Sequence, residues 1–232
     1  MKFPLLKELL SRAGTCVPAS TIHYFNGVLN YLHVGRWMHD RALRVPVRVS
    51  GRDAFYRALL PAIAEPVTYL EFGVFDGTSM RRWSALLRDP RSTLDGFDSF
   101  EGLPEDWGMK CTREVFDVGG RIPQLDDSRV HFHKGWFQET LPAFAEKLAP
   151  HATLVVHLDA DLYSSTIYVL RQLARFMKPG TILIFDEFFD REHETKALTE
   201  FLGDTGARIE CLAATRALTQ VAFRVTASPA QP

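Results

Sequence analysis

The run VTYLEFGVFDGTS, Val67 to Ser79, constrains the fold of this chain more than any other stretch. Val67, Tyr69, Leu70 and Phe72 make an apolar run of strand length. Gly73 and Gly77 then let the backbone turn sharply, so that Thr78 and Ser79 open a helix. A strand, a glycine turn and a helix form the first unit of an open α/β sheet, whose ligands bind beyond the carboxyl ends of the strands. Backbone N–H groups at the turn and at the helix start are expected to face that ligand.

The glycines of this turn follow the pattern G-x-x-x-G, with Glu71 just upstream, and not the G-x-G-x-x-G of dinucleotide sites. A carboxylate aimed into the turn repels a pyrophosphate but suits a ligand carrying an amino group and a sulfonium, as S-adenosylmethionine (SAM) does. A tight turn with no ligand is the plainer reading. Asp98 closes the next expected strand, Thr93 to Asp98, at the place where nucleotide-binding α/β folds set an acid on the ribose hydroxyls.

The 232 residues are 46% hydrophobic and 24% charged with a formal net charge of -1, a composition that supports one globular α/β domain and gives no sign of a nucleic-acid surface or a polybasic membrane anchor. Cys16, Cys111 and Cys211 are odd in number and far apart, which argues against a disulfide framework or a zinc knuckle and for a reducing cytoplasm. No apolar run approaches the roughly 18 residues of a membrane span, so neither insertion nor secretion is expected.

Around the central unit the periodicity predicts a short helix from Phe3 to Arg12 and, between Ile22 and Leu43, two short aromatic-rich helices broken at Gly35. This region reads equally as a helix pair covering the sheet and as a lid or dimer contact. A helix follows from Asp53 to Ile63, and another after the glycine turn. Ser99 to Asp127 has few periodic residues and reads as a long functional loop. The third strand, around Val130 and Phe132, carries His131 and His133 as exposed residues or a metal pair. Gly135 and Trp136 at its end are placed to hold an adenine. After a helix from Gln138 to Leu148, the fourth strand ends in HLDAD. A helix from Tyr163 to Met177 leads to the fifth strand, TILIF, which runs into Asp186 and Glu187. A helix from Glu192 and an antiparallel pair, 207–212 and 218–225, complete the domain; the last six residues read as a disordered tail.

Asp159, Asp186 and Glu187 thus converge at the carboxyl ends of two adjacent strands. Like charges so placed call for protons or a cation, and hard oxygen donors suit magnesium or manganese. Helix caps and turn acids are the alternative reading.

With these residues in place, the chain resembles the macrocin O-methyltransferase family, SAM-dependent enzymes acting on sugar hydroxyls of antibiotics. The resemblance rests on LEFGVFDGTS (70–79), GFDSFEGLPEDW (96–107), KGWFQETLP (134–142), HLDADLYSST (157–166) and GTILIFDEF (180–188). It implies a class I SAM-dependent methyltransferase fold: a Rossmann-like, doubly wound, mostly parallel seven-stranded sheet over residues 51–226. An N-terminal helical lid or dimerisation segment, 1–50, would precede it and a tail, 227–232, would follow. It further implies that Glu71, Gly73, Gly77, Thr78 and Ser79, with Phe72 in the same run, hold the methionine part of SAM. Asp98 would take the ribose, and Ser99, Phe100, Gly135 and Trp136 would surround the adenosine. Magnesium or manganese would sit at Asp159, Asp186 and Glu187, with Asp159 as the base and His157 its substitute. Where the family usually has two aspartates, this chain has Asp186 and Glu187. The implied partner is a small-molecule or oligosaccharide acceptor, and the aromatic surface between Ile22 and Leu43 predicts a homodimer. A catechol-type acceptor, a nicotinamide dehydrogenase and a non-catalytic glycan- or SAM-binding scaffold are the competing readings; the last two leave the missing third glycine or the acidic cluster unexplained.

Overall fold

The computed structural model describes residues 3–106 and 112–230; Trp107 of the long loop and Cys111 lie outside them. The strands are β1 (Arg48–Val49), β2 (Val67–Phe72), β3 (Thr93–Asp98), β4 (Val130–Lys134), β5 (Thr153–Leu158), β6 (Ile182–Phe185), β7 (Arg208–Thr215) and β8 (Val221–Ala227). They form one sheet in the order β1-β7-β8-β6-β5-β2-β3-β4, in which β4, β3, β2, β5 and β6 are parallel and β8 is antiparallel to both β6 and β7. The helices are α1 (Pro4–Gly14), α2 (Ala19–Asp40), α3 (Arg52–Leu59), α4 (Thr78–Leu86), α5 (Phe137–Lys147), α6 (Tyr163–Leu173) and α7 (Glu194–Thr205). The expected seven strands are present, with β1 as an eighth. It pairs in parallel with β7, so the sheet reaches into the 1–50 segment read as purely helical.

Every residue of β2 and β5 is buried, because helices cover both sides of these parallel strands. Alternation of side chains sends Leu70 and Phe72 to one face and Tyr69 and Glu71 to the other. The first face packs Phe72, Phe97, Leu158 and Phe185 with residues of α5, α6 and α7. On the second, Tyr69, Val155 and Ile184 pack with Phe55 and Tyr56 of α3 and Met80 and Trp83 of α4.

α2 is one continuous helix and is not broken at Gly35. A glycine in a helix costs only about 1 kcal/mol relative to alanine, which the burial of Val34, Trp37 and Met38, roughly 1.5–3 kcal/mol for each side chain, outweighs. Trp37 Nε1 also donates to Thr199 Oγ1 of α7 at 2.7 Å. The other end of α2 leaves Ile22, Tyr24, Phe25, Val28, Leu29 and Leu32 exposed, and α1 buries no residue at all.

Two local ties hold the sheet's edge. His133 Nε2 lies 2.8 Å from Asp95 Oδ1 and its ring stacks on Phe97, so it pairs with the sheet and not with His131, which is exposed. Arg129 donates to Asp127 and to the carbonyls of Ser84, Leu87 and Asp89, clamping the start of β4 to the end of α4. At the C-terminus, Ala230 N donates to Thr205 O at 2.8 Å; residues 231 and 232 of the expected tail lie outside the described residues.

Candidate active site

A single cavity lies at the carboxyl ends of β2, β3, β5 and β6. Its lining includes Gly73, Thr78, Ser79, Asp98, Ser99 and Trp136 from the glycine turn and the ends of β3 and β4, and Arg52, Asp159, Asp161, Asp186 and Glu187 from the start of α3 and the ends of β5 and β6. Leu103, Pro104 and Phe116 bring the long loop over it.

Gly73 and Gly77 have φ of +94° and +78°, the left-handed region that glycine alone enters freely. A Cβ on Gly73 would stand 1.8 Å from the Asp159 carbonyl oxygen, and one on Gly77 would meet Pro123 at 2.9 Å. The two glycines therefore let the turn approach the end of β5 and the long loop.

The turn's N–H groups are less available than the sequence suggested. Val74 N and Phe75 N donate to Asp98 Oδ2 at 2.7 and 2.8 Å, and Thr78 N donates to Asp76 Oδ1 at 2.9 Å. Asp98 Oδ1 accepts from Phe100 N at 2.6 Å. A carboxylate has about four lone-pair sites, so Asp98 keeps room for one further donor and not for both hydroxyls of a ribose in this conformation. Its first task is to build the turn.

The expected cofactor residues divide by whether they reach the cavity. Gly73, Thr78, Ser79, Asp98, Ser99 and Trp136 line the cavity; Glu71, Phe72, Gly77, Phe100 and Gly135 do not. Phe72 stacks on Phe97 in the core. Phe100 is fully buried, and Gly135 N donates to Asp98 O, joining the ends of β3 and β4. Glu71 is wholly buried beneath the turn. Its Oε2 accepts from Tyr69 Oη at 2.6 Å and its Oε1 from Ser79 Oγ. It does not point into the turn as the sequence suggested, because alternation along β2 turns it under α4.

The acidic end is crowded and short of positive charge. Asp186 bonds Arg52 through Oδ2, while its buried Oδ1 has no hydrogen-bond partner among the described residues and lies 3.7 Å from His157 Nε2. Burial works to raise the Asp186 carboxyl, but His157 and Arg52 hold it below the ordinary range. Asp159 is pushed well up by burial and by Asp186. Burial with Glu187 and Asp186 brings Asp161 to about 8, and burial with Asp186 brings Glu187 to about 7. Glu194, buried behind Glu187 and accepting from its backbone N–H at 3.0 Å, is raised well above the usual carboxyl value by burial and by Asp186. Burial alone would lower His157; Asp186 and Glu71 hold it up at about 10.

Of the expected metal ligands, Asp159 and Asp186 come together. The third group whose donor atom joins them, all within 4.8 Å, is His157. Glu187 lines the same wall but is not in that group. His157 is fully buried and does not line the cavity, which removes it as a base that touches an acceptor. Arg52, Tyr69 and Asp161 carry weight that the sequence analysis did not give them. Asp161 was visible in HLDAD two positions after Asp159, and Tyr69 shares the strand alternation of Glu71. Arg52 had no sequence signal, since it reaches Asp186 across 134 residues.

A family model described as macrocin O-methyltransferase (TylF) matches residues 63–210. The 8-demethyl-8-(2,3-dimethoxy-alpha-L-rhamnosyl)-tetracenomycin-C 4'-O-methyltransferase of Streptomyces olivaceus is 33% identical over 144 residues, covering 53% of this chain and 53% of the relative. The demethyldecarbamoylnovobiocin O-methyltransferase of Streptomyces niveus is 32% identical with the same coverage. The chain spans about half the length of these curated relatives. Among solved structures, the calicheamicin methyltransferase CalS11 superposes with a TM-score of 0.58 at 21% identity, over 96% of this chain and 87% of that one. The O-methyltransferase NovP gives 0.52 at 24% identity, over 75% and 77%. The mixed α/β fold is that of the class I SAM-dependent methyltransferases.

Proposed function

We propose, from the premise that this chain belongs to the macrocin O-methyltransferase family, that it moves a methyl group from SAM to a hydroxyl of a sugar or glycosylated metabolite, assisted by a divalent cation. The observation that carries this reading is the continuity of the cavity, which joins the glycine turn and Asp98 to the carboxylates of Asp159, Asp186 and Glu187. Donor and acceptor can then lie end to end, and holding them aligned supplies much of a methyl transfer's acceleration.

The residues fit both groups. Asp98 has one acceptor site left for a ribose hydroxyl, and Phe75, Phe116 and Trp136 give the donor end an aromatic lining. The carboxylates at the other end attract a sulfonium. For the cation, Asp159 and Asp186 supply oxygen donors in a place where buried acids outnumber Arg52 and His157, and Glu187 stands beside them. A bound divalent cation would lower the pKa of a coordinated acceptor hydroxyl by several units. Asp159, on the cavity wall, receives the proton as general base, and the apolar side chains of Leu103 and Phe116 limit water.

The exposed apolar side chains of α1 and the first half of α2 support a homodimer formed through this segment; light scattering that finds a monomer at micromolar concentration overturns it. No helix among the described residues is long and apolar enough to cross a membrane. The unpaired Cys16 and Cys211 go with a cytoplasmic site of action, which cell fractionation tests.

The activity is tested by release of S-adenosylhomocysteine with a panel of glycosides. Turnover should stop with EDTA and return with magnesium or manganese, while SAM binding by calorimetry persists. Full turnover in chelator overturns the cation's part, and turnover of catechols alone moves the acceptor to that class.

A further inference from the structure

The acidic end of the cavity holds two buried polar atoms that face each other with nothing between them. His157 Nε2 and Asp186 Oδ1 are both inaccessible to solvent, neither has a hydrogen-bond partner among the described residues, and they stand 3.7 Å apart. That separation is too long for a hydrogen bond. It is a few tenths of an ångström more than the roughly 3.0–3.4 Å between neighbouring ligands of one cation with bonds of about 2.1 Å. An oxygen of Asp159 completes the group within 4.8 Å.

The surroundings orient both atoms towards a cation, which would take the place of the Nε2 proton that Asp186 and Glu71 otherwise hold on the ring. Tyr69 Oη gives its only proton to Glu71 Oε2 at 2.6 Å, so its 2.7 Å contact with His157 Nδ1 is made by the imidazole's own N–H. A ring that donates from Nδ1 to such a partner can present a bare Nε2 lone pair, the arrangement that orients metal-bound histidines. On the other side Arg52 engages Asp186 Oδ2 and leaves Oδ1 free. Strand register explains the convergence. His157 pairs with Ile184, so Asp159 and Asp186, each two residues further along, are level with each other on the face that His157 also occupies.

We propose that the cation of this site is bound by one nitrogen and two carboxylates, Nε2 of His157 with Asp159 and Asp186, and that Glu187 serves the acceptor side of the cavity instead of ligating. Imidazole suits first-row transition metals better than magnesium, so this ligand set should bind manganese more tightly than magnesium without excluding it. This rests on the reading that the protein takes a divalent cation at all.

Manganese titrated into the metal-free protein, followed by pulsed electron paramagnetic resonance, separates the two ideas. One bound ion with a ¹⁴N coupling of imidazole type is the expected result. His157→Gln should lose that coupling and weaken manganese by at least the roughly 10–100-fold that loss of an outer-shell partner alone costs. Tight manganese without nitrogen coupling in the wild-type protein leaves the cation in place and overturns the histidine ligand. No bound manganese overturns both. The wild-type spectrum decides the matter even if the variant fails to fold.

Discussion

Two charged clusters, each combining carboxylates with a guanidinium, behave oppositely in this molecule. At the edge of the sheet Asp127 and Arg129 satisfy each other: the carboxylate takes bonds from the guanidinium, from Ser84 Oγ and from Arg129 N, while the guanidinium also serves three backbone carbonyls. At the ends of β5 and β6, Asp159, Asp161, Asp186, Glu187 and Glu194 crowd around Arg52 and His157. In the first cluster Arg129 drives the Asp127 carboxyl well below its usual range; in the second, burial and mutual repulsion drive most of the carboxyls up. A pair that is complete within the protein contributes to stability. A group left with surplus charge is held at some cost to the fold and is available to a ligand.

The sharpest way to separate the clusters is Asp159→Asn. Turnover should fall by about 10²–10⁴-fold while the melting temperature holds or rises, since a buried, repelled carboxyl is gone. A variant that loses stability in proportion to activity would place Asp159 with the structural charges. Arg129→Ala should do the reverse, costing about 2–4 kcal/mol in denaturant unfolding by stranding a mostly buried Asp127 and three carbonyls. Its folded fraction should turn over normally, and a lowered kcat per folded molecule would break the distinction.

Asp98 stands between the two cases, because it builds the turn and faces the cavity. Asp98→Ala should weaken SAM by about 1.5–3 kcal/mol in calorimetry and also lower the melting temperature, as Val74, Phe75 and Phe100 lose their acceptor. Unchanged affinity removes it from the cofactor's contacts.

The smallest effect is the acid response of the clamp. The folded Asp127 carboxyl is depressed relative to the unfolded value of about 3.9. It therefore contributes stability that is complete above the unfolded pKa and is lost as pH falls through the folded one. Asp127→Asn should be less stable than wild type at pH 6 by about 1–2 kcal/mol, and the gap should narrow progressively as the pH falls below the unfolded value. A gap independent of pH would mean that the bonds of Asp127 matter and its charge does not.

Much of this protein could be read along the chain. The strand and glycine turn, the acid at the end of β3, and the carboxylates ending β5 and β6 are local facts: strand alternation, the left-handed turns at Gly73 and Gly77, and the halts at Asp98 and Asp186 follow from neighbouring residues. The tertiary structure decided what each of these groups faces. Glu71 went under the turn because α4 covers that side of β2, and Ser79 and Tyr69 are there to receive it. Gly35 did not end a helix because Trp37 and Met38 found a core beyond it. Arg52 reached Asp186, and His157 rose beside Asp159, through the register of strands far apart in sequence. Periodicity fixes which side of an element a residue occupies; what lies on that side depends on contacts between distant segments, which no local pattern encodes.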